Sequence, residues 1–158
     1  MRLNTLQLGA GDAVELDYDL RVDIREGLPG VNLVGDAAQL TVIADDSIAL
    51  CKASHIVEHF DEAKQAAVLA EWRRVLVPRG LLLIWTPDLQ WLEDARKSGE
   101  IDEATFQYTY NGARDHPYNY HYCLWNRVIA AHMLAKAGFL VRSIETVKGS
   151  LEIVAEKQ

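Results

Sequence analysis

The chain has 158 residues, with Lys+Arg 16 against Asp+Glu 23 and a formal net charge of −7, which is one domain's worth of chain and enough to bury a core without staples. At 49% hydrophobic and 25% charged residues it is not a disordered chain, and its acidic balance argues against gripping nucleic acid or an anionic membrane by bulk charge. The well-separated Cys51 and Cys123 exclude a disulfide framework, the start carries no signal-peptide pattern, and the longest strongly apolar run, Leu81 to Trp85, is too short for a bilayer; the expectation is a single cytoplasmic domain over 1–158 with no membrane partner.

In chain order, Leu3 to Leu8 reads as a first strand cut by Gly9-Ala10-Gly11, Leu20 to Ile24 as a second, Val31 to Val34 as a third and Ile48 to Ala53 as a fourth. About Asp61 to Val77 comes the clearest helix, with Val68, Leu69, Trp72, Val75 and Leu76 in one stripe. Its acids lie in the first turn and its arginines in the last, and Pro78 and Gly80 end it. Leu81 to Thr86 is a fifth strand, apolar from Leu81 to Trp85 as a strand covered on both faces would be. The stretch Asp88 to Leu124 fits neither period and reads as a lid or substrate-side insertion, with helix at about Leu89 to Lys97. A last helix runs from about Arg127 to Ala137, between an Asn126 cap and a Gly138 stop. Leu140 to Val147 and Leu151 to Glu156 form an antiparallel hairpin around Lys148-Gly149. Alternating strands and helices define an α/β domain with a mainly parallel sheet.

Open α/β sheets bind ligands beyond the carboxyl ends of their strands. Three successive ends carry Leu8-Gly9-Ala10-Gly11, Val22-Asp23-Ile24 and Gly35-Asp36-Ala37. Glycines after a buried strand let a ligand approach the backbone. An acid at the second strand's end accepts from both hydroxyls of a ribose, and one at the third strand's end can accept from an adenine amine. Each is by itself equally well a simple turn residue; their coincidence is what carries information.

The sequence resembles the class I S-adenosylmethionine-dependent methyltransferases, and in particular small bacterial type 11 methyltransferase-like proteins. The match rests on Leu8-Gly9-Ala10-Gly11 with Val22-Asp23-Ile24, on Gly35-Asp36-Ala37-Ala38-Gln39-Leu40, on Ala53-Ser54-His55-Ile56-Val57-Glu58-His59-Phe60, and on Trp72-Arg73-Arg74-Val75-Leu76-Val77-Pro78-Arg79-Gly80 running into Trp85-Thr86-Pro87-Asp88. The resemblance implies a three-layer Rossmann-like fold, a seven-strand sheet with an antiparallel last strand, and S-adenosylmethionine as cofactor. It places Leu8, Gly9, Ala10 and Gly11 on the methionine part, Asp23 with Ile24 on the ribose, Asp36 with Ala37 near the adenine, and Ser54 and His55 beside cofactor and reaction centre. The chain departs from the pattern in three ways: Gln7 replaces the usual acid in the first strand, Val14 replaces the third glycine, and the short gap from Gly11 to Asp23 reduces the first helix to a turn around Ala13 to Leu16. A pocket this pared down is either open or completed by a second subunit in a homo-oligomer.

Methyl transfer to a hydroxyl needs a group that accepts its proton. His121, in a segment that resembles one carrying a histidine before the last long helix of relatives, is the first candidate, followed by His59 and His55 just past the fourth strand. Glu58, Asp88, His116, Tyr118 and Tyr120 are the candidate acceptor-binding residues, with Asp88 in reach of either the acceptor or Arg114. Glu58 and His59 also read as the helix start, capping it and packing the turn, which is the preferred reading for Glu58, and the aromatic segment reads equally as a lid on the sheet edge. No metal is expected, because the His116 to His121 spacing matches no helical metal motif. Trp85, Trp91 and Trp125 read as core or lid.

The favoured acceptor is a hydroxyl of a small molecule or of a sugar or glycan precursor. The Asn/Asp-Pro-Pro-Tyr motif expected for base amino methylation is absent; Thr86-Pro87-Asp88-Leu89 stands in its region. Two other classes compete: a non-catalytic cofactor- or partner-binding module, and a nicotinamide-dependent oxidoreductase, which Val14 and the Ser-His-x-x-Glu-His-Phe turn both oppose.

Overall fold

The computed structural model describes residues 4–12 and 17–158. Leu3, Val14 and the reduced turn expected at Ala13 to Leu16 lie outside these residues. The strands are β1 (Asn4–Leu8), β2 (Leu20–Asp23), β3 (Leu33–Val34), β4 (Ile48–Ser54), β5 (Leu76–Pro87), β6 (Phe139–Val147) and β7 (Ser150–Lys157); the helices are α1 (Glu62–Val75), α2 (Leu89–Ser98), α3 (Glu103–Asn111) and α4 (Arg127–Lys136). They build a seven-strand sheet of order β3-β2-β1-β4-β5-β7-β6. Neighbouring strands from β3 to β5 pair in parallel, and β7 pairs antiparallel with both β5 and β6. This is the expected α/β class with its reversed last strand.

The order reverses direction at β1 and β4, and a crevice opens where strand order reverses. Right-handed crossovers running β4 to β5 to β6 put α1 and α4 on one face. That face holds the core: Leu6, Leu8, Val22, Cys51, Ala53, Leu82, Ile84 and Ile153 from the sheet, with Val68, Leu69, Trp72 and Val75 of α1 and Ala130 and Leu134 of α4. Asp61 caps α1 by accepting from the Lys64 amide at 2.9 Å, and Asn126 caps α4 through the Ile129 amide at 2.9 Å. Trp72 anchors the connection after β3 by donating to the Ala37 carbonyl at 2.9 Å.

The hairpin turn has Lys148 at φ 48° and Gly149 at φ 83°, both left-handed as a type I′ turn requires. A Cβ on Gly149 would meet the Trp91 ring at 2.6 Å, so the glycine also lets α2 close on the hairpin.

Three expectations are corrected. β5 begins at Leu76 and not Leu81, because Leu76 already pairs with Ile48 while Val77 to Gly80 bulges out of register. β5 is not covered on both faces: Leu82 and Ile84 are buried, whereas Leu81 and Leu83 are half-buried and Trp85 is 39% exposed. The reversed crossovers β1 to β2 and β2 to β3 would bring helices to that side, and none is present there among the described residues. The stretch 88–124 is mostly helical, with the anticipated α2 followed by α3; the two share a small apolar cluster of Leu92, Phe106 and Leu124. Trp125 is core, as expected. Among the described residues no helix is long and apolar enough to cross a membrane.

Candidate active site

β1 runs straight into the glycine turn, where Gly9 has φ 62° and Gly11 φ 60°, a left-handed pair that side chains resist. A Cβ on Gly9 would meet Ile56 at 3.0 Å, so the turn after β4 closes on the turn after β1. The Ala10 amide donates to Val22 at 3.0 Å, and the Gly11 amide to Asp23 Oδ2 at 2.9 Å. The acid expected on the ribose is thus welded to the turn expected under the methionine part.

Asp23 Oδ1 also accepts from the Arg25 amide at 3.0 Å and from Arg25 Nε at 3.1 Å. Burial alone would raise this carboxyl, but the bonds from Arg25 and Gly11 outweigh it and hold it below its ordinary value. Arg25 is raised above its own by the bond to Asp23, with Asp12 and Asp115 adding attraction. Next along the sheet, Ile24 is 39% and Val34 50% exposed, an apolar pair at the ends of β2 and β3. Asp36 is exposed, with Oδ1 accepting from the Ala38 amide at 2.8 Å, and Ala37 is buried behind it.

Beyond β4, Ser54 is half-buried and His55 turns at φ 50° with its amide on the Trp85 carbonyl at 2.7 Å. A one-turn 3-10 helix, Val57–His59, follows. Glu58 is fully buried, with Oε2 accepting from the Thr86 hydroxyl at 3.0 Å and Oε1 lying 3.3 Å from His55 Nδ1. Hydrogen bonding to Glu58 raises His55 above its ordinary value despite its partial burial.

The segment before α4 crosses this turn. Tyr122 donates its amide to the Glu58 carbonyl at 2.8 Å, and His59 Nδ1 pairs with the Tyr120 carbonyl at 2.9 Å. His121 Nδ1 pairs with the Thr109 carbonyl at 2.7 Å. A carbonyl only accepts, so in the neutral form of each ring the proton sits on Nδ1 and the lone pair on Nε2. The His59 and His121 rings meet edge-on with centroids 4.9 Å apart. Desolvation lowers His121 below its ordinary value, the nearby Glu58 charge notwithstanding. One ligand atom from each of Glu58, His59 and His121 lies within 4.8 Å of the other two.

The fold therefore gathers His121, His59, His55 and Glu58 beside the glycine turn. His116 and Tyr118 stay on the outer loop: His116 Nδ1 accepts from the Tyr118 amide at 3.3 Å, and the Tyr118 ring is exposed. Tyr120 is exposed beside Tyr122, with ring centroids 6.4 Å apart. Asp88 is corrected. It is buried and spends its oxygens on the amides of Gln90 and Trp91, capping α2, and on the Thr146 hydroxyl at 2.7 Å. It does not reach Arg114, whose guanidinium donates to Asn111. A cavity of about 350 Å³ opens near Asp88, lined also by Trp91, Asn126 and Arg127; none of the gathered histidines borders it.

Sequence reasoning missed the residues that hold the cluster. Gln65 is a buried amide on the apolar side of α1; it donates to the Val57 and Phe60 carbonyls at 3.1 and 3.2 Å and accepts from Trp125 Nε1 at 2.9 Å. A polar residue one turn before Val68 and Leu69 was the available signal. Thr86 on Glu58 and Arg25 on Asp23 left none.

Glycine turn, strand-end acids and the sheet order together define a class I S-adenosylmethionine-dependent methyltransferase. A family model described as a methyltransferase domain matches residues 5–84, and the chain belongs to that family. No curated protein matches it. It is similar in structure to a S-adenosylmethionine-dependent methyltransferase from Archaeoglobus fulgidus (TM-score 0.74, 16% identity, 98% of this chain and 86% of that one). A second similar structure is the S-adenosylmethionine-dependent methyltransferase from Mesorhizobium loti (TM-score 0.72, 16% identity, 98% and 91%). A third is the 1,6-didemethyltoxoflavin-N1-methyltransferase of Burkholderia thailandensis, solved with its acceptor and S-adenosylhomocysteine (TM-score 0.70, 16% identity, 99% and 72%).

Proposed function

We propose that the chain is an enzyme that methylates a hydroxyl of a small molecule or of a sugar or glycan precursor, using S-adenosylmethionine. The observation that carries this reading is the pair of imidazoles, His59 and His121, whose Nδ1 atoms are committed to carbonyls at 2.9 and 2.7 Å beside the buried Glu58. Each is left with an Nε2 lone pair, the geometry a group needs to take a hydroxyl proton. When bound, the cofactor supplies a methyl group on a sulfonium.

The residues present fit that cofactor. The left-handed glycine turn offers backbone to its methionine part, Asp23 offers a carboxylate to the ribose, and Ile24 and Val34 offer an apolar slot to the adenine, with Asp36 at its rim. Arg25 must release part of Asp23 when the ribose arrives. The segment from His116 to Tyr122 covers the acceptor side, where the exposed rings of Tyr118, Tyr120 and Tyr122 suit a sugar or ring. His121 is the first proton acceptor and His59 the second. His55, held by Glu58, orients that carboxylate. The small-molecule acceptor of the similar Burkholderia enzyme and the acidic net charge agree with an acceptor that is not a nucleic acid.

A second reading is a binding module without turnover. The observation in its favour is Asp23 already bonded to Arg25. Calorimetry with S-adenosylmethionine and S-adenosylhomocysteine, followed by methyl transfer from labelled cofactor to a panel of hydroxylated acceptors, separates them. No binding of either compound sinks the enzyme reading; binding without transfer to any acceptor favours the module.

A further inference from the structure

We infer that Glu58, His59 and His121 form a binding site for a divalent first-row metal ion, open on one side to an oxygen of the acceptor. Their ligand atoms lie within 4.8 Å of one another. Ligands at about 2.1 Å from a common ion stand roughly 3–3.5 Å apart at adjacent positions, so small side-chain rotations close the set.

The outer contacts are those of ligands. A metal-binding imidazole donates its other ring N–H to a carbonyl or carboxylate, which fixes tautomer and ring orientation. Here both do so: His59 Nδ1 to Tyr120 at 2.9 Å and His121 Nδ1 to Thr109 at 2.7 Å. The carboxylate is oriented in the same way, by the Thr86 hydroxyl at 3.0 Å. Glu58 is fully buried, and its imidazole partner His55, 3.3 Å away, is half-exposed. A buried carboxylate is costly without a positive partner, and an ion between it and two neutral imidazoles supplies one.

Two imidazoles and a carboxylate leave coordination positions free. Imidazole nitrogen favours iron, nickel, copper or zinc over magnesium or calcium, and the carboxylate also admits manganese. No spacing rule could show this site, because His121 comes from the segment before α4 and the other two from the turn after β4. That the free positions face an acceptor rests on the methyltransferase reading, in which an ion, when bound, holds both Nε2 lone pairs and acidifies the acceptor hydroxyl in place of direct proton transfer to His59 or His121; the ion site itself does not.

The test uses the full chain stripped with chelator. Mn²⁺ is titrated by the loss of its free-ion spin resonance signal, and Co²⁺ by its visible absorption. Wild type is expected to take up a single ion per chain. His59→Ala and His121→Ala, with folding verified by circular dichroism, are expected to bind more than about 10-fold more weakly. His132→Ala on exposed α4 is expected to bind as wild type does. His59→Gln and His121→Gln, which keep a polar group at each position, replace either alanine variant that fails to fold. No uptake by wild type, or uptake unchanged in both site variants, overturns the inference. S-adenosylhomocysteine titrated in parallel keeps the readings apart: cofactor bound without an ion overturns the ion site alone, and an ion bound without cofactor overturns the methyltransferase reading alone.

Discussion

Replacing Asp23 with Asn tests the cofactor half of the cleft with the least disturbance to the fold. The wild-type carboxylate accepts from Gly11 N–H at 2.9 Å, Arg25 N–H at 3.0 Å and Arg25 Nε at 3.1 Å. Asn keeps one oxygen, so one backbone amide stays satisfied and the other loses its acceptor at a cost of about 1–2 kcal/mol in stability. The Asp23 to Arg25 ion pair adds little to that, since Arg25 is 32% exposed and solvent screens it. A ribose bound by Asp23 would use two charge-assisted bonds worth about 1.5–3 kcal/mol each. Because binding also releases Arg25 from the carboxylate, a net loss of about 2–3 kcal/mol is expected, which is about 30- to 150-fold in Kd. Calorimetric titration of S-adenosylhomocysteine into wild type and D23N reads this directly, with the thermal midpoint checking the fold. A folded D23N that binds within about twofold of wild type would show that Asp23 does not hold the ribose.

Three further outcomes follow from the geometry. Gln65→Leu strands the Trp125 N–H and the Phe60 carbonyl and leaves the Val57 carbonyl only its bond from the Phe60 amide, and is expected to cost about 2–4 kcal/mol in urea unfolding; a loss within experimental error would remove Gln65 from the support of the His59 turn. Leu69→Ala empties a fully buried position under the sheet and should cost about 2–5 kcal/mol, whereas an equal change at exposed Val42 should stay within about 0.5 kcal/mol; similar costs at both sites would contradict the placement of the core. The carboxyl of Asp23 lies below its ordinary 3.8 in the folded chain, so the stability it contributes is present above that value and is lost as the pH falls through and below it. Urea midpoints followed from about pH 5 to about pH 2 should fall less steeply in D23N than in wild type; parallel curves would mean that Asp23 is not depressed.

The periodicity of α1, the alternation of strands with helices, the Lys148-Gly149 turn and the glycine and two acids at successive strand ends are all written in the local sequence. Each depends on neighbours a few residues apart, and period and turn chemistry report on such neighbours. Local pattern also misled in identifiable places. Leu81 to Trp85 is apolar throughout, yet whether its second face is covered depends on crossovers elsewhere in the chain, and Trp85 stands exposed. Asp88 sits at a strand end like Asp23, but the helix that follows claims one of its oxygens and Thr146 of β6 the other.

The sequence by itself determined the class of the chain and the backbone of the cofactor cleft, because both arise from short segments whose residues and conformations are bound together. Only the tertiary structure decided the chemistry on the acceptor side. Glu58 and His59 become neighbours of His121 because Tyr122 and Tyr120 bond across to the turn after β4, and Gln65 locks that turn to Trp125. Those are contacts between residues about sixty positions apart, and no spacing along the chain records them.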